Sequence, residues 1–459
     1  MRENNQQLSN GSNKINSQKE YKASYYNHFI KYDDKYYFGF NLLYRSIIKI
    51  PNEAFQKIDN FSSLSPTAIS MDLSSLPSQW LEVLKKTQFI INTDFDELNF
   101  IKFRYYRSLY SNDSLTLVIL PTLWCNFDCP YCFEYKKPVF MNRKVEDALI
   151  KWIENNYRHK RRIHIGWFGG EPLLAKDIIF HLTERIKKFC RDIGATYSSN
   201  LVTNGFYLDK DFQSKIPSLG IKNIQITLDG YEEEHNKLRK QRNGKGSFDQ
   251  IFENILSFCN GVKDCKLTLR INCSDINYES IPKLLESFPH NVKSSINLYF
   301  KWIWANEASG YQEFALNQRG TEPYKGLSQL YKESIRLGYK AHNPNNNNRI
   351  GYCEVDYLDN YYIDPEGRMY FCAHSDSIGS VLEETNFISP DTIGKYFSWY
   401  SVNPFEDNKC VICKLLPICK GGCRNSRFKG SRGCIAELKS LDAFVKNILD
   451  ERNIQIVHA

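Results

Sequence analysis

The sequence predicts an α/β protein: a parallel sheet of six strands covered by helices, with a small α+β domain before it and a cysteine-rich segment after it. Three observations carry that class. From Ser114 to about Trp304, short apolar runs alternate with stretches whose apolar residues recur about every 3.6 positions. Ahead of them, Tyr25 to Pro51 is crowded with aromatic and β-branched residues and reads as strand. Behind them, seven of the chain's 14 cysteines fall between Cys353 and Cys434.

At 459 residues the chain has room for two or three domains. Its 42% hydrophobic and 24% charged residues are those of a soluble globular protein. No run approaches the roughly 18 apolar residues of a membrane span, and Met1 to Asn10 lacks the apolar core of an export signal, so a cytoplasmic protein with no membrane partner is expected. The net charge of +8 beside 29 Tyr and 29 Phe raises nucleic acid as a partner, but the Lys and Arg are scattered, and none is expected. A mildly basic surface suits an acidic peptide. Fourteen cysteines without an export signal point to metal or redox chemistry over disulfides.

Residues 1–20, rich in Asn, Ser, Gln and Lys without an apolar period, are expected to be a disordered tail. Residues 21–110 form the small domain. Strands are expected at Tyr36 to Leu43 and Arg45 to Ile50, with a turn at Asp33-Asp34, and helices near Ala54 to Ile58, Pro77 to Lys86 and Leu98 to Tyr110. A cap over the neighbouring sheet is one reading of this domain, and a peptide-recognition module is the other.

Residues 111–305 carry the βα repeats. Strands are expected at Ser114–Leu120, His164–Phe168, Ser199–Thr203, Asn223–Leu228, Lys266–Asn272 and Ile296–Trp302. The helices between them carry Val145, Leu149, Trp152 and Ile153, then Ile179, Leu182, Ile186 and Phe189, then Phe248, Ile251, Ile255 and Phe258. Such a sheet is expected to be filled by side chains on its inner side and covered by helices outside. Six repeats are two short of a closed eight-fold barrel. Residues 306–349 read as a bridging segment, 350–436 as a cysteine-rich domain, and 437–459 as a closing helix through Leu438, Leu441, Phe444, Val445 and Ile448.

The densest motif is Cys125, Cys129 and Cys132, spaced C-x3-C-x2-C directly after the first strand of the sheet. Thiolates this close suit a shared soft metal. Three rather than four leave one corner open, whereas closed zinc sites and ordinary iron–sulfur clusters take four ligands. Zinc is the alternative. Gly169-Gly170-Glu171-Pro172 closes the second strand; two glycines let backbone approach a ligand, and Pro172 can start a helix. Thr203-Asn204-Gly205 ends the third strand and Thr227-Leu-Asp-Gly230 the fourth, and both also read as ordinary turns. Arg239 could equally be a solvated surface arginine.

In the C-terminal segment, Cys410, Cys413, Cys419 and Cys423 are spaced C-x2-C-x5-C-x3-C, flanked by Cys353, Cys372 and Cys434. A zinc ribbon is the rival reading, though seven ligands fit neither one nor two tetrahedral sites without remainder. Cys190, Cys259, Cys265 and Cys273 lack ligand spacing and read as buried small hydrophobes.

Taken together, the cysteine loop and the Gly-Gly-Glu-Pro segment one strand later resemble the radical S-adenosylmethionine (SAM) enzymes, and the C-terminal array is similar to their SPASM extension. The resemblance spans about 115–305 and 350–436 and implies a partial (β/α)6 TIM-type barrel with its site at the C-terminal strand ends. It implies a [4Fe–4S] cluster on Cys125, Cys129 and Cys132 whose fourth iron chelates S-adenosyl-L-methionine. Gly169, Gly170, Glu171 and Pro172 would hold the SAM amino group, with Thr203, Asn204 and Thr227 nearby and Arg239 on its carboxylate; Gly246-Ser-Phe-Asp249 also looks family-like. Two auxiliary [4Fe–4S] clusters would sit on Cys410, Cys413, Cys419 and Cys434, and on Cys353, Cys372 and Cys423. Some relatives carry a further cysteine upstream of the Cys353 position. Asn343 to Ile350 has none, which leaves that cluster an open iron or a ligand such as His342 or the substrate.

The activity implied is reductive cleavage of SAM to a 5′-deoxyadenosyl radical that abstracts hydrogen from a substrate carbon, with electrons from a flavodoxin or ferredoxin. Two substrates follow from the family: a ribosomally made precursor peptide with a leader, crosslinked through a thioether, carbon–carbon or ether bond, or a sulfatase matured to formylglycine. The N-terminal domain resembles leader-recognition domains, where a peptide adds a strand to a sheet edge. In sulfatase-maturing relatives an Asp directly follows the cysteine equivalent to Cys372. Here Ala373 stands there, so the peptide substrate is expected, with a non-enzymatic zinc scaffold as the reading from another class.

Overall fold

The computed structural model describes residues 21–56, 77–111, 113–134, 136–303, 323–341, 353–383, 390–432, 434, 441–442 and 445. The expected tail at 1–20, His342, and most of the bridging segment and closing helix lie outside them. The chain divides into two compact units: 1–102 with 411–418 and 455–459, and 103–410 with 419–454.

In the smaller unit, β1 (Tyr21–Ala23) pairs antiparallel with β5 (Ile90–Asn92), and β2 (Asn27–Lys31), β3 (Tyr36–Asn41) and β4 (Ile47–Pro51) form an antiparallel sheet in the order β2-β3-β4. Two short elements, α1 (Asn52–Phe55) and α2 (Ser78–Lys86), pack on it through Phe55, Trp80 and Leu84 against Ile48, Ile50 and Phe89. Phe55 stacks on Tyr37 at 3.7 Å between ring centroids. Buried Asn41 ties the turns together. Its amide donates to Ser24 Oγ (2.9 Å), Asn27 Oδ1 (2.9 Å) and the Gln88 carbonyl (3.0 Å), and its Oδ1 accepts from the backbone of Leu43 and Tyr44. The segment 411–418 belongs to this unit, with Tyr25 Oη donating to the Ile412 carbonyl at 2.6 Å and Lys414 Nζ to that of Asn27 at 3.2 Å. Helix α3 (Glu97–Leu109) has residues in both units.

In the larger unit, six parallel strands run side by side in chain order: β6 (Ser114–Ile119), β7 (Arg162–Trp167), β8 (Thr196–Thr203), β9 (Ile221–Thr227), β10 (Lys266–Cys273) and β11 (Ile296–Trp302). Each overlaps a strand expected from the sequence. The sheet continues beyond them with β12 (Lys340–Ala341) beside β11, and with β13 (Asn360–Ile363), β14 (Arg368–Tyr370) and β15 (Ser377–Ser380) beside β6. Among the helices, α4 (Arg143–Asn156), α5 (Lys176–Ile193) and α8 (Phe248–Gly261) bury the stripes named above, and the shorter α6 (Lys210–Lys215) and α7 (Glu232–Leu238) bury Phe212 and Leu238. Asn142 caps α4 by accepting from Val145 N, and Gly194, in the left-handed region at φ 69°, closes α5.

One face of this sheet is apolar and fully buried beneath the helices, through Leu115, Leu117, Ile163, Ile165, Ile224, Ile226, Leu267 and Leu269. The opposite face corrects the expectation of a filled interior. Register places Thr116, His164, Asn200, Gln225, Arg270 and Lys301 there, all polar and half-buried, so it forms a polar trough.

A cysteine-lined candidate active site

The cysteine loop leaves the C-terminal end of β6 and is pinned from two sides. Thr122 Oγ1 donates to the Val139 carbonyl and accepts from Trp124 N. Opposite, Phe127 bridges Gln241, Arg242 N donates to the Asn126 carbonyl (2.9 Å), and Arg242 Nε donates to that of Cys125 (2.8 Å) while its guanidinium lies 4.0 Å over the Trp124 ring. Cys125 is buried and Cys129 and Cys132 half-buried. All three line one cavity of about 380 Å3 at the C-terminal ends of the strands. Burial pushes the Cys125 thiol up to about 12 and raises that of Cys129. Among the described residues no three His, Cys, Asp or Glu side chains converge to metal-binding distance.

The Gly169-Gly170 turn is stitched to that loop. Gly170 N donates to the Thr122 carbonyl (3.1 Å) and Glu171 N to that of Trp124 (2.8 Å). A Cβ on Gly170 would lie 2.3 Å from the Trp124 oxygen, and one on Gly169, whose φ is +117°, 2.5 Å from that of Thr122. Both glycines line the cavity, but Glu171 and Pro172 do not. Glu171 is fully buried and accepts from Leu173 N (2.9 Å), Thr203 Oγ1 (2.7 Å) and Asn204 N (2.7 Å); burial raises its carboxyl against those bonds. Pro172 opens a short 3-10 turn. Thr203 and Asn204 reach the cavity, where Asn204 Nδ2 donates to Asn126 Oδ1 at 2.8 Å.

Thr227 and Arg239 also line the cavity. Arg239 is buried, which sets aside the solvated reading. Its Nη1 donates to Tyr131 Oη at 2.7 Å and lies 3.7 Å from Asp229 Oδ2, to which the Tyr131 hydroxyl donates. Behind them, Asp229 N donates to His235 Nδ1, His235 Nε2 meets Ser247 Oγ, and Ser247 Oγ donates to the Arg239 carbonyl. With the serine proton committed to that carbonyl, the histidine carries its own on Nε2; burial holds its pKa well below the ordinary value.

Sequence reasoning assigns no role to Tyr131, Asp229 or His235, nor to Glu134, Arg270, Asn272 and Lys301 on the cavity wall. Burial pushes the Glu134 carboxyl up to about 7. Arg270, Asn272 and Lys301 were legible only as charged or amide residues at alternate positions of apolar strands. Of the C-terminal cysteines, buried Cys372 accepts from His374 N at 3.2 Å and is near enough to Cys423 to feel its charge; Cys410 accepts from Arg427 Nη2 at 2.8 Å; Cys353 and Cys434 are exposed.

Against known proteins, the radical SAM superfamily model matches residues 119–288, the stretch that builds this cavity apart from Lys301, Trp302 and Ile303. Residues 119–288 are a radical SAM domain. The radical SAM domain sits in a chain 24% identical to the cysteine-type anaerobic sulfatase-maturating enzyme of Clostridium novyi (strain NT), over 68% of this chain and 89% of the relative. A GTP 3′,8-cyclase of Campylobacter jejuni (strain RM1221) is 28% identical over 39% of this chain and 53% of its own. Among solved structures, native anSMEcpe with bound AdoMet and Cp18Cys peptide superposes with a TM-score of 0.54 at 18% identity, covering 74% of this chain and 96% of that one. Streptococcus suis SuiB bound to S-adenosylmethionine superposes with a TM-score of 0.50 at 15% identity, covering 91% and 100%. These likenesses show the fold. No helix among the described residues is long and apolar enough to cross a membrane.

Proposed function

We propose that this radical SAM enzyme matures a ribosomally made precursor peptide, oxidising it to install a thioether, carbon–carbon or ether crosslink. The observation that carries the choice of substrate is the small unit ahead of the radical SAM domain. Its β2-β3-β4 sheet leaves β2 and β4 with one strand neighbour each among the described residues, so a leader peptide can add a strand there. Residues 21–110 would serve as that recognition domain, 111–305 as the partial barrel and 350–436 as the auxiliary-cluster domain.

The cavity suits SAM and a cluster. Three thiols face it, two glycines leave no room for a Cβ, and Arg239 Nε and Asn126 Nδ2 are buried without a partner among the described residues. Cys125, Cys129 and Cys132 would hold a [4Fe–4S] cluster, and Arg239 and the Gly169-Gly170 backbone would grip the methionyl end of SAM. When bound, that pair supplies reductive cleavage of the sulfonium and a radical able to abstract hydrogen. Glu171 fixes Thr203 and Asn204 at the wall, Tyr131 and Asp229 fix Arg239, and Phe168, Trp302 and Ile303 line the cavity with apolar surface that excludes water. Cys410, Cys413, Cys419 and Cys434, and Cys353, Cys372 and Cys423, would hold two auxiliary clusters that carry away the second electron. A flavodoxin or ferredoxin would deliver the first.

The Clostridium novyi relative favours a second reading, sulfatase maturation. Against it, Ala373 follows Cys372, and Asp376, the nearest acidic residue that could stand in for the missing Asp, is exposed to solvent. Anaerobic incubation with reductant, SAM and the short peptide encoded beside the gene tests the proposal. Deoxyadenosine together with a peptide lighter by hydrogens is expected. Formylglycine on a sulfatase peptide, with the neighbouring peptide untouched, would establish the second reading instead.

A further inference from the structure

A second cavity opens on the polar trough, at the end opposite the cysteines. It holds about 620 Å3 and lies at the N-terminal ends of β6, β7 and β13, within the larger unit. We propose that it binds a small oxyanion carrying more than one negative charge, a phosphate ester or a polycarboxylate.

Charge is the first argument. Arg104, Arg107 and Arg162 line the cavity, all three exposed, and no acidic residue lines it. Arg104 and Arg107 are three apart on α3 and so share one helix face. Arg107 and Arg162 each have a local use. Arg107 meets the negative end of the α3 dipole, and Arg162 Nε donates to Ser114 Oγ at 2.9 Å. Neither use explains why three guanidinium groups gather around one cavity, where they repel one another until an anion enters.

The walls supply the second argument. Ser108, Ser111, Ser114 and Thr116 offer hydroxyls beneath the guanidinium groups, the donor set that oxyanions take. Asn360 lines the cavity while only 2% exposed, and its buried Oδ1, an acceptor with no partner among the described residues, calls for a donor such as water rather than for the anion itself. His164 is a fixed wall. Its Nδ1 meets Ser198 Oγ at 2.8 Å and its Nε2 meets Asn200 Nδ2 at 3.0 Å, so both ring nitrogens are engaged. Size and lining favour a small molecule over an acidic peptide. The volume falls within the roughly 300–1,000 Å3 of small-molecule sites, and of the lining residues only Tyr357 and Leu358 carry a largely apolar side chain.

Calorimetric titration of the anaerobically purified full chain with inorganic pyrophosphate, citrate and a deca-glutamate peptide tests this. Saturable binding of pyrophosphate or citrate at one site, tighter than about 1 mM, is expected, and whichever binds better identifies phosphate or carboxylate as the source. Arg107→Ala and Arg162→Ala should each weaken it about tenfold, while Arg185→Ala, on a helix outside the cavity, should leave it unchanged. Far-ultraviolet circular dichroism checks that each variant folds, and Arg107→Gln repeats the measurement should the alanine variant not. No binding of either small anion, binding indifferent to Arg107 and Arg162, or binding of the peptide alone would each overturn the proposal. It stands apart from the peptide-maturase reading, since it is measured without SAM or turnover.

Discussion

Asp229 and Arg239 face each other at 3.7 Å with the Tyr131 hydroxyl bonded to both, so a residue inside the cysteine motif bridges a buried ion pair from the far side of the cavity. Arg239 Nε has no partner among the described residues, and the two partners of Nη1 aim the group. Asp229→Asn keeps an acceptor for Asn272 N, which now donates to Oδ1 at 3.1 Å, but removes the charge. Equilibrium dialysis should show SAM affinity weakened about tenfold, or about 1.4 kcal/mol, with the circular dichroism spectrum unchanged. Asp229→Ala, which strands a buried guanidinium, should instead cost about 3–5 kcal/mol of stability. Unaltered SAM affinity in Asp229→Asn would show that the pair serves the fold alone.

Gly170 is where the turn and the cysteine loop come closest. A methyl there meets the backbone oxygens of Trp124 and Leu123 at 2.3 and 2.6 Å, and backbone cannot step aside as a side-chain tip can. Gly170→Ala should therefore displace the loop, and iron bound after anaerobic reconstitution should fall well below wild type. Gly394→Ala is the control. Nothing lies within 4 Å of its added methyl, and within the helix Pro390–Ser401 it should be neutral or stabilise by up to about 1 kcal/mol. Equal iron contents in the two variants would contradict the close approach.

In the smaller unit, burial raises the Glu97 carboxyl above its ordinary 4.5 even though Ser24 Oγ (2.6 Å) and Tyr25 N (2.8 Å) donate to it. The folded chain thus holds this proton more tightly than the unfolded chain. The contribution to stability is complete below pH 4.5 and is lost as pH rises through the raised value. Urea denaturation of wild type and Glu97→Gln across that window should show wild type losing stability relative to the variant as pH rises. Parallel curves would mean that the carboxyl titrates alike in both states.

The six central strands and the helix stripes were legible because burial against helices imposes periods of about 2 and 3.6 residues that survive in the sequence. Strands of two to four residues, such as β1, β5 and β12 to β14, are too short to show a period. The polar trough is hidden in the sequence for another reason. Ile224, Ile226, Leu269 and Ile271 announce the buried face, whereas Gln225 and Arg270 between them look like the solvated side of any half-buried strand. Glu171 was legible as special but not as to use: its partners Thr203 and Asn204 lie more than 30 residues away. Tyr131 and Asp229, 98 residues apart, meet only through the fold.

Metal content separates the cysteine sets. Three cubane clusters correspond to about 12 iron with matching sulfide. Replacing Cys125, Cys129 and Cys132 together by Ala should remove about four iron and abolish deoxyadenosine formation. The change should leave the C-terminal sets loaded, because Cys372 accepts from His374 N and Cys410 from Arg427 Nη2, bonds that do not involve the three loop thiols. Replacing Cys372 and Cys423, which feel each other's charge, should remove another four or so while SAM binding persists. Chelation should then strip iron and activity in parallel, and exposure to air should do the same. Zinc in place of iron, without sulfide, in the anaerobically purified chain would refute the cluster assignment for every set at once.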